Sequence, residues 1–196
     1  MKIIRWPILL FSLLYPILSS SQGNKDSLIN AIHASTEDTT KVMLLLKIAD
    51  RYETNQQDSA SYFLEQAKVL AEKLKFNKGL YLYYEQSAIV SFTIGDYKQS
   101  LEQNDKALAI AEELGDSSRM INLLANSGIV YQYLGKFDTQ LEKSLQALAM
   151  IEKRKEKRKL SSMYHNIGNA YLNLKQYRKS LDYCLLAMKS HKQYGG

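Results

Sequence analysis

The sequence predicts an all-α fold, a right-handed α-solenoid of antiparallel helix pairs. Residues 126–150 align with residues 166–190 at a constant offset of 40, and the same offset backwards reaches residues 87–110. The only prolines, Pro7 and Pro16, lie in the first sixteen residues, so nothing in the rest of the 196-residue chain forces a helix to break. A repeated unit without prolines indicates long helices joined by tight turns.

Each copy carries apolar residues at i, i+3, i+4 and i+7, then a short Gly/Asp/Lys break, then a second helical run. The matched positions are Gly128/Gly168, Tyr131/Tyr171, Leu134/Leu174, Phe137/Tyr177, Leu141/Leu181 and Ala147/Ala187. One further step back reaches Ala67 and, with a one-residue deletion in the turn, Ala49 and Tyr52. We therefore predict four repeats, 38–76, 77–116, 117–156 and 157–196.

Small residues recur inside both predicted helices of a unit. Gly128 and Gly168 fall in the middle of the first helix, where glycine costs about 1 kcal/mol relative to alanine. A glycine repeated at this place indicates that two helices approach closely, and the alanines at 67, 107, 147 and 187 have the same role on the second helix. The tyrosines at 84, 97, 131, 171 and 177 are predicted to form repeat core.

The amino terminus predicts export. Lys2 and Arg5 precede an eleven-residue apolar run, 8–18, and Ser19 and Ser21 suit cleavage before Gln22. A membrane span needs about 20 apolar residues, so an uncleaved anchor is the less favoured alternative. We predict a signal peptide over 1–21, a linker or short helix over 22–37, and a periplasmic or cell-envelope location. The chain has no Asn-x-Ser/Thr sequon, which favours a bacterial envelope.

Positive charge is concentrated in one stretch, EKRKEKRKL at 152–160. Without its first 21 residues the chain has 24 basic and 20 acidic residues, and this stretch, with six bases and two acids, accounts for the whole excess. A basic face that would bind nucleic acid is therefore not predicted. The stretch occupies the turn between two repeats, where Lys155 replaces Gly115. It is either a solvated turn or an electrostatic contact for an acidic protein or anionic head groups, through Lys153, Arg154, Lys155, Lys157, Arg158 and Lys159.

Motifs of catalysis are absent. The sequence has no phosphate-binding glycine loop, no HExxH and no Cys-x-x-Cys, and its single cysteine, Cys184, falls at a helix-packing position. We predict no enzyme activity within this chain, no catalytic or metal-binding residue and no cofactor.

The Gly-x-x-Tyr-x-x-Leu-x-x-Tyr/Phe pattern of the last two copies resembles the tetratricopeptide repeat (TPR) family, over about residues 38–194. The 40-residue period resembles a long-period subtype, since the usual period is 34, and neither the early tryptophan nor the closing proline of the family is present. The resemblance implies a concave face lined by the first helix of each unit. The groove positions that it implies are Leu82, Glu85, Ile89, Phe92, Ile129, Tyr133, His165, Asn169 and Leu172.

This groove is expected to bind a protein or peptide. The alternative is that its apolar residues pack against a neighbouring unit or against residues 27–32. The lysine that the family's carboxylate clamp needs is replaced by His165, so an acidic carboxy-terminal tail is not the expected ligand. Exported arrays of this period also resemble the sensory region of bacterial envelope histidine kinases, which would place a membrane helix and an output module beyond residue 196. The sequence determines neither the partner nor the oligomeric state.

Overall fold

The computed structural model describes residues 15–52 and 56–194, with side chains from residue 25 onward except that of residue 57. This part of the chain consists of helices joined by short turns and contains no strand. It divides into two compact units, with the boundary between residues 75 and 76. The positively charged start of the predicted signal peptide and most of its apolar run lie outside the described residues.

The described residues of the first unit form three helices, α1 (Tyr15–Ala34), α2 (Thr39–Ala49) and α3 (Gln57–Lys73). Helix α2 packs against both neighbours in the chain. Asp38 caps α2, since its carboxylate accepts hydrogen bonds from the backbone N–H groups of Thr40 and Lys41 at 2.8 and 3.2 Å. The α1 backbone runs without a break through the predicted cleavage position before Gln22. Among the described residues, no helix combines the length and apolar character that a bilayer crossing requires.

The second unit consists of three successive helix pairs. These are α4 (Asn77–Thr93) with α5 (Tyr97–Glu113), α6 (Ser117–Tyr133) with α7 (Phe137–Arg154), and α8 (Leu160–Asn173) with α9 (Tyr177–Tyr194). A short 3-10 helix, Lys157–Lys159, precedes α8. Each helix packs on its pair partner, and α5 and α7 also pack on the first helix of the following pair. The predicted all-α solenoid of helix pairs is confirmed.

Left-handed residues end the helices at a spacing of 20 residues. They are Lys75, Gly95, Gly115, Gly135, Lys155 and Lys175, with φ between 50° and 83°. Lys155, at φ 58°, has the backbone conformation that Gly115 adopts one repeat earlier, as the sequence alignment predicts. Because an L-residue pays about 1–2 kcal/mol in this region, the three lysines are less favourable helix ends than the three glycines.

The helix-internal glycines lie at close helix contacts. A Cβ atom on Gly168 would be 3.1 Å from the Cys184 Sγ, and one on Gly128 would be 3.3 Å from the Ser144 Oγ. Residues 144 and 184 are themselves 40 positions apart, so the two pairs make the same contact. The predicted packing role of these glycines is confirmed.

One predicted core residue is not buried. Tyr84, Tyr97, Tyr131 and Tyr171 are partly buried, whereas the Tyr177 side chain is 64% exposed. Tyr177 is equivalent to Phe137, which lies on α7 and is half-buried. The side of α9 that carries Tyr177 has no following pair against it among the described residues, so its prediction as core was wrong.

Candidate functional site

The predicted groove residues lie on α4, α6 and α8, the first helices of the three pairs in the second unit. Four of them expose apolar side chains, with exposed fractions of 54% for Ile89, 37% for Ile129, 61% for Tyr133 and 51% for Leu172. We call this surface, formed by these four residues and Phe92, the first-helix face. Within the second unit these apolar side chains are open to solvent and not covered by a neighbouring pair.

Three aromatic rings meet on this face. The Phe92 and Tyr133 ring centroids are 5.0 Å apart in an edge-to-face arrangement, and Tyr97 lies 5.7 Å from each of them. Such pairs contribute about 0.5–1.5 kcal/mol beyond the burial of their area. The contacts hold the carboxyl ends of α4 and α6 together. They also place two predicted groove residues, Phe92 and Tyr133, in one cluster. Tyr97 of α5, the third member, was not predicted as a groove residue.

A small pocket of about 150 Å³ opens between α4, α5 and α6. Its walls are apolar and come from Ile89, Phe92, Ile129 and Val130. A cavity of this volume accommodates one benzene-sized group. The pocket therefore has the size of a single apolar side chain, and three of its walls are predicted groove residues.

The floor of the pocket is polar and was not predicted. Asn104 of α5 is 2% exposed, and its side-chain amide donates to the Leu123 carbonyl at 2.8 Å and to the Ser127 hydroxyl. Its Oδ1 is buried without a hydrogen-bond partner in the described part of the chain. The sequence signal was available, because residue 104 carries an amide side chain where the equivalent positions carry the smaller residues Ser144 and Cys184.

Two further predicted groove residues, Leu82 and Glu85, interact within their own repeat. Leu82 is half-buried and packs on the apolar cluster around Tyr81 and Ala107. The Tyr81 hydroxyl donates to the Glu85 carboxylate at 2.7 Å. Burial, together with this carboxylate, raises the pKa of Tyr81 well above its usual range, so the tyrosine remains a donor to Glu85. Glu85 therefore contributes a carboxylate that already has a partner.

On α8 the face becomes more polar. The His165 ring and the Asn169 amide are 3.1 Å apart and form a hydrogen bond. Asn169 stands where Ile89 and Ile129 stand in the earlier pairs, so Leu172 is the exposed apolar residue that α8 adds to the face. Gln140, which is 1% exposed, donates to the Gln132 side chain at 3.1 Å and so fixes a polar group of α6 beside the apolar row.

The basic stretch forms a folded corner in which part of the charge is already paired. The Glu156 carboxylate bonds to the Arg154 guanidinium and, at 3.0 Å, to the Lys159 ammonium. Hydrogen bonds from these two partners lower the pKa of Glu156, and the bond from Arg154 has the larger effect. Lys159 also reaches back to α6, where it donates to the Ser118 hydroxyl at 2.9 Å and to the side-chain oxygen Oδ1 of Asn122 at 3.2 Å. Arg154 and Lys159 thus have structural partners.

The other bases of the corner, Lys153, Lys155, Lys157 and Arg158, are exposed. The last three line an open concavity of about 730 Å³, and the Lys157 ammonium lies 5.2 Å from the ring centre of Tyr194. The predicted patch of six cations is therefore divided into two structural and four solvent-facing groups. No cluster of three His, Cys, Asp or Glu side chains suited to a metal converges in the part of the chain that the structure describes.

No model of a known protein family matches the chain, and no curated protein matches it by sequence. Several solved structures match the fold. The signal-transduction ATPase of the STAND class with a tetratricopeptide repeat sensor, from Pyrococcus horikoshii, has a TM-score of 0.80 at 22% identity, over 89% of this chain and 28% of its own. Aspartyl phosphate phosphatase F from Bacillus subtilis has a TM-score of 0.82 at 18% identity, over 91% of this chain and 47% of its own. BtubC (BKLC) from P. vanneervenii has a TM-score of 0.79 at 16% identity, over 93% and 78%.

The chain thus has the fold of the tetratricopeptide repeat proteins, which supports the resemblance read from the sequence. It spans about a quarter of the STAND protein and about half of the phosphatase. At these identities the likeness concerns the fold.

Proposed function

We propose that this chain is a non-enzymatic protein-binding and sensing module of the bacterial cell envelope, and that the first-helix face binds a peptide or partner helix. The observation that carries this proposal is the pocket between α4, α5 and α6 beside a row of exposed apolar side chains. An extended or helical ligand would insert one apolar side chain into the pocket and lay others along Ile129, Tyr133 and Leu172.

The polar groups around this row would set the orientation of the ligand. Asn126 lines the pocket opening, and the Gln132 and Asn169 amides lie along the same helices. Amides both donate and accept, so they match the backbone of a peptide in either direction. Charged groups are few on this face, which favours an apolar ligand segment over an acidic tail.

A peptide library selected against residues 22–196 tests the proposal. For a selected peptide, the Phe92→Ala and Ile129→Ala substitutions should each weaken binding by about thirtyfold, because a central anchor contributes about 2 kcal/mol or more. Ile94→Ala is the matched control, since Ile94 is an exposed apolar residue that does not line the pocket. If both pocket variants bind normally while Lys153→Ser with Arg158→Ser abolishes binding, the corner and not the first-helix face is the site.

A second candidate function is the input region of a larger signalling protein, such as an envelope histidine kinase. The observation that favours it is that the matching segment is only part of two larger proteins. It covers about a quarter of the STAND protein and about half of the phosphatase. The reading frame downstream of codon 196 distinguishes the two candidates. A following membrane helix and kinase module would support the second, and a stop codon would support the first.

A further inference from the structure

Helix α9 exposes a face whose equivalent on helix α7 is largely buried. Leu148 of α7 is 8% exposed, whereas Met188, forty positions later, is 70% exposed. Leu141 is half-buried against the α8 side, and its equivalent Leu181 is 56% exposed. With Leu185, these residues form an i, i+4, i+7 stripe on one side of α9. Of its counterparts on α7, Leu141 and Leu148 belong to the apolar cluster that includes Met163 and Ile167 of α8, whereas Leu145 is 37% exposed.

The first two helix pairs, α4/α5 and α6/α7, each also hold in a slot one side chain from the first helix of the following pair. Leu123 of α6 is buried against Tyr81, Ala107 and Ala111 of the first pair. Its equivalent, Met163 of α8, is buried in the same way against the second pair, in a slot whose walls include Ile121, Ala147 and Ile151.

Forty positions further on, the slot residues of the third pair are Ser161, Ala187 and His191. With Met188 they line an open concavity of about 490 Å³ on α8 and α9. The third slot is thus built like the first two and is open among the described residues. It differs in chemistry, because the walls that are Ile121 and Ile151 in the second slot are a hydroxyl and an imidazole here.

The charges around this slot are mostly positive. Arg158 is the charged side chain of its lining, which also includes Ser162, His165 and Asn166 and holds no carboxylate. Lys192 lies four residues beyond Met188 on the same side of α9, and Arg178 and Lys189 run along its edge with one acid, Asp182, between them. The complementary surface is apolar with acidic margins.

A second copy of the chain fits this surface poorly. The stripe would pair with itself in antiparallel fashion, and Arg178 of one copy would then approach Lys192 of the other, with Asp182 as the one acid on that edge to offset the bases. Like charges placed opposite each other oppose such an interface. We propose instead that the end face, formed by Leu181, Leu185, Met188 and the third slot, docks an amphipathic helix with acidic flanks from another polypeptide. One apolar side chain of that helix fills the slot, and its carboxylates face Arg158, His191 and Lys192.

The test uses two fluorescein-labelled amphipathic peptides of about 18 residues, both with leucine at i, i+3, i+4 and i+7. One carries glutamate along the flanks of the leucine stripe, and the other carries glutamine there. Fluorescence anisotropy with residues 22–196 should show binding of the glutamate peptide that is about tenfold tighter at low salt and loses this advantage at high salt. Met188→Lys and Leu181→Lys should each weaken it by about tenfold or more. Ile89→Lys on the first-helix face is the control and should leave it unchanged.

Equal affinity for the two peptides, or loss of binding in Ile89→Lys but not in Met188→Lys, would overturn the proposal. Sedimentation equilibrium of the chain alone tests whether the end face binds a second copy of the chain. If the chain is a dimer and Met188→Lys dissociates it, a second copy is the occupant and the proposal is refuted. Because Ile89→Lys reports on the first-helix face separately, the proposed function stands or falls on its own result.

Discussion

Replacement of Gly168 tests the close contact on which the last helix pair depends. Its absent side chain would meet the Cys184 Sγ at 3.1 Å, the Ser180 carbonyl at 3.5 Å and the Cys184 backbone nitrogen at 3.6 Å. Leucine at this position must extend beyond its Cβ into two backbone groups that cannot rotate away. Overpacking of this kind costs about 1–3 kcal/mol and sometimes more, against about 1 kcal/mol gained in helix propensity. Because two backbone groups block the side chain, we expect a cost at the upper end of this range, about 3 kcal/mol, so that Gly168→Leu lowers the free energy of unfolding by a net of about 2 kcal/mol.

Alanine at the same position separates the contact from the propensity. The single Cβ atom is tight only against the Sγ, so Gly168→Ala should be nearly neutral. Cys184→Ala removes that sulfur, and in this background Gly168→Ala should stabilise by about 1 kcal/mol, the full helix propensity gain. The coupling between the two sites should therefore be about 0.5–1 kcal/mol.

Urea unfolding followed by far-ultraviolet circular dichroism measures these differences for residues 22–196 and the four variants. Hydrogen exchange in α8 and α9 shows whether the last pair opens before the others, as nearest-neighbour stability in repeat proteins allows. Lys189→Leu is the control for adding a leucine at an exposed position of the same pair. Wild-type stability in Gly168→Leu, or an equal effect of Gly168→Ala in both Cys184 backgrounds, would refute the close-contact argument.

Two further predictions concern the helix ends and the amino terminus. Lys155→Gly should raise the free energy of unfolding by about 0.5–1 kcal/mol, because relief of the left-handed strain exceeds the entropy that glycine adds to the unfolded chain. Urea unfolding measures this, and Lys153→Gly in the last turn of α7 is a control that should destabilise the protein. A loss of stability in Lys155→Gly would contradict the prediction. The mature protein should begin at Gln22 and be recovered from the envelope fraction, as intact-mass spectrometry can determine, whereas an intact Met1 form in the cytosol would rule out export.

Part of the site could be predicted from the repeat together with the resemblance to tetratricopeptide repeat proteins. That resemblance placed Ile89 and Ile129 on the groove side of the first helix, and the structure exposes both. The pocket floor was missed, because Asn104 belongs to the second helix and reaches the pocket only through the packing of α5 on α6. Glu85 was named as a groove residue without its partner, since Tyr81 approaches it only once α4 has formed.

The sequence by itself determined the period, the helix pairs and the contact positions. Local rules suffice for these, because a 40-residue repeat, the cost of a helix-internal glycine and the alignment of Lys155 with Gly115 need no knowledge of distant neighbours. Only the tertiary structure decided burial and pairing at the ends of the array. Tyr177 has a core pattern and is exposed, and Lys159 belongs to a charged stretch and bonds to Ser118 of α6, 41 residues earlier. The physical reason is that a repeat pattern specifies which side of a helix is apolar, whereas the surface that covers that side comes from another part of the chain or from a partner.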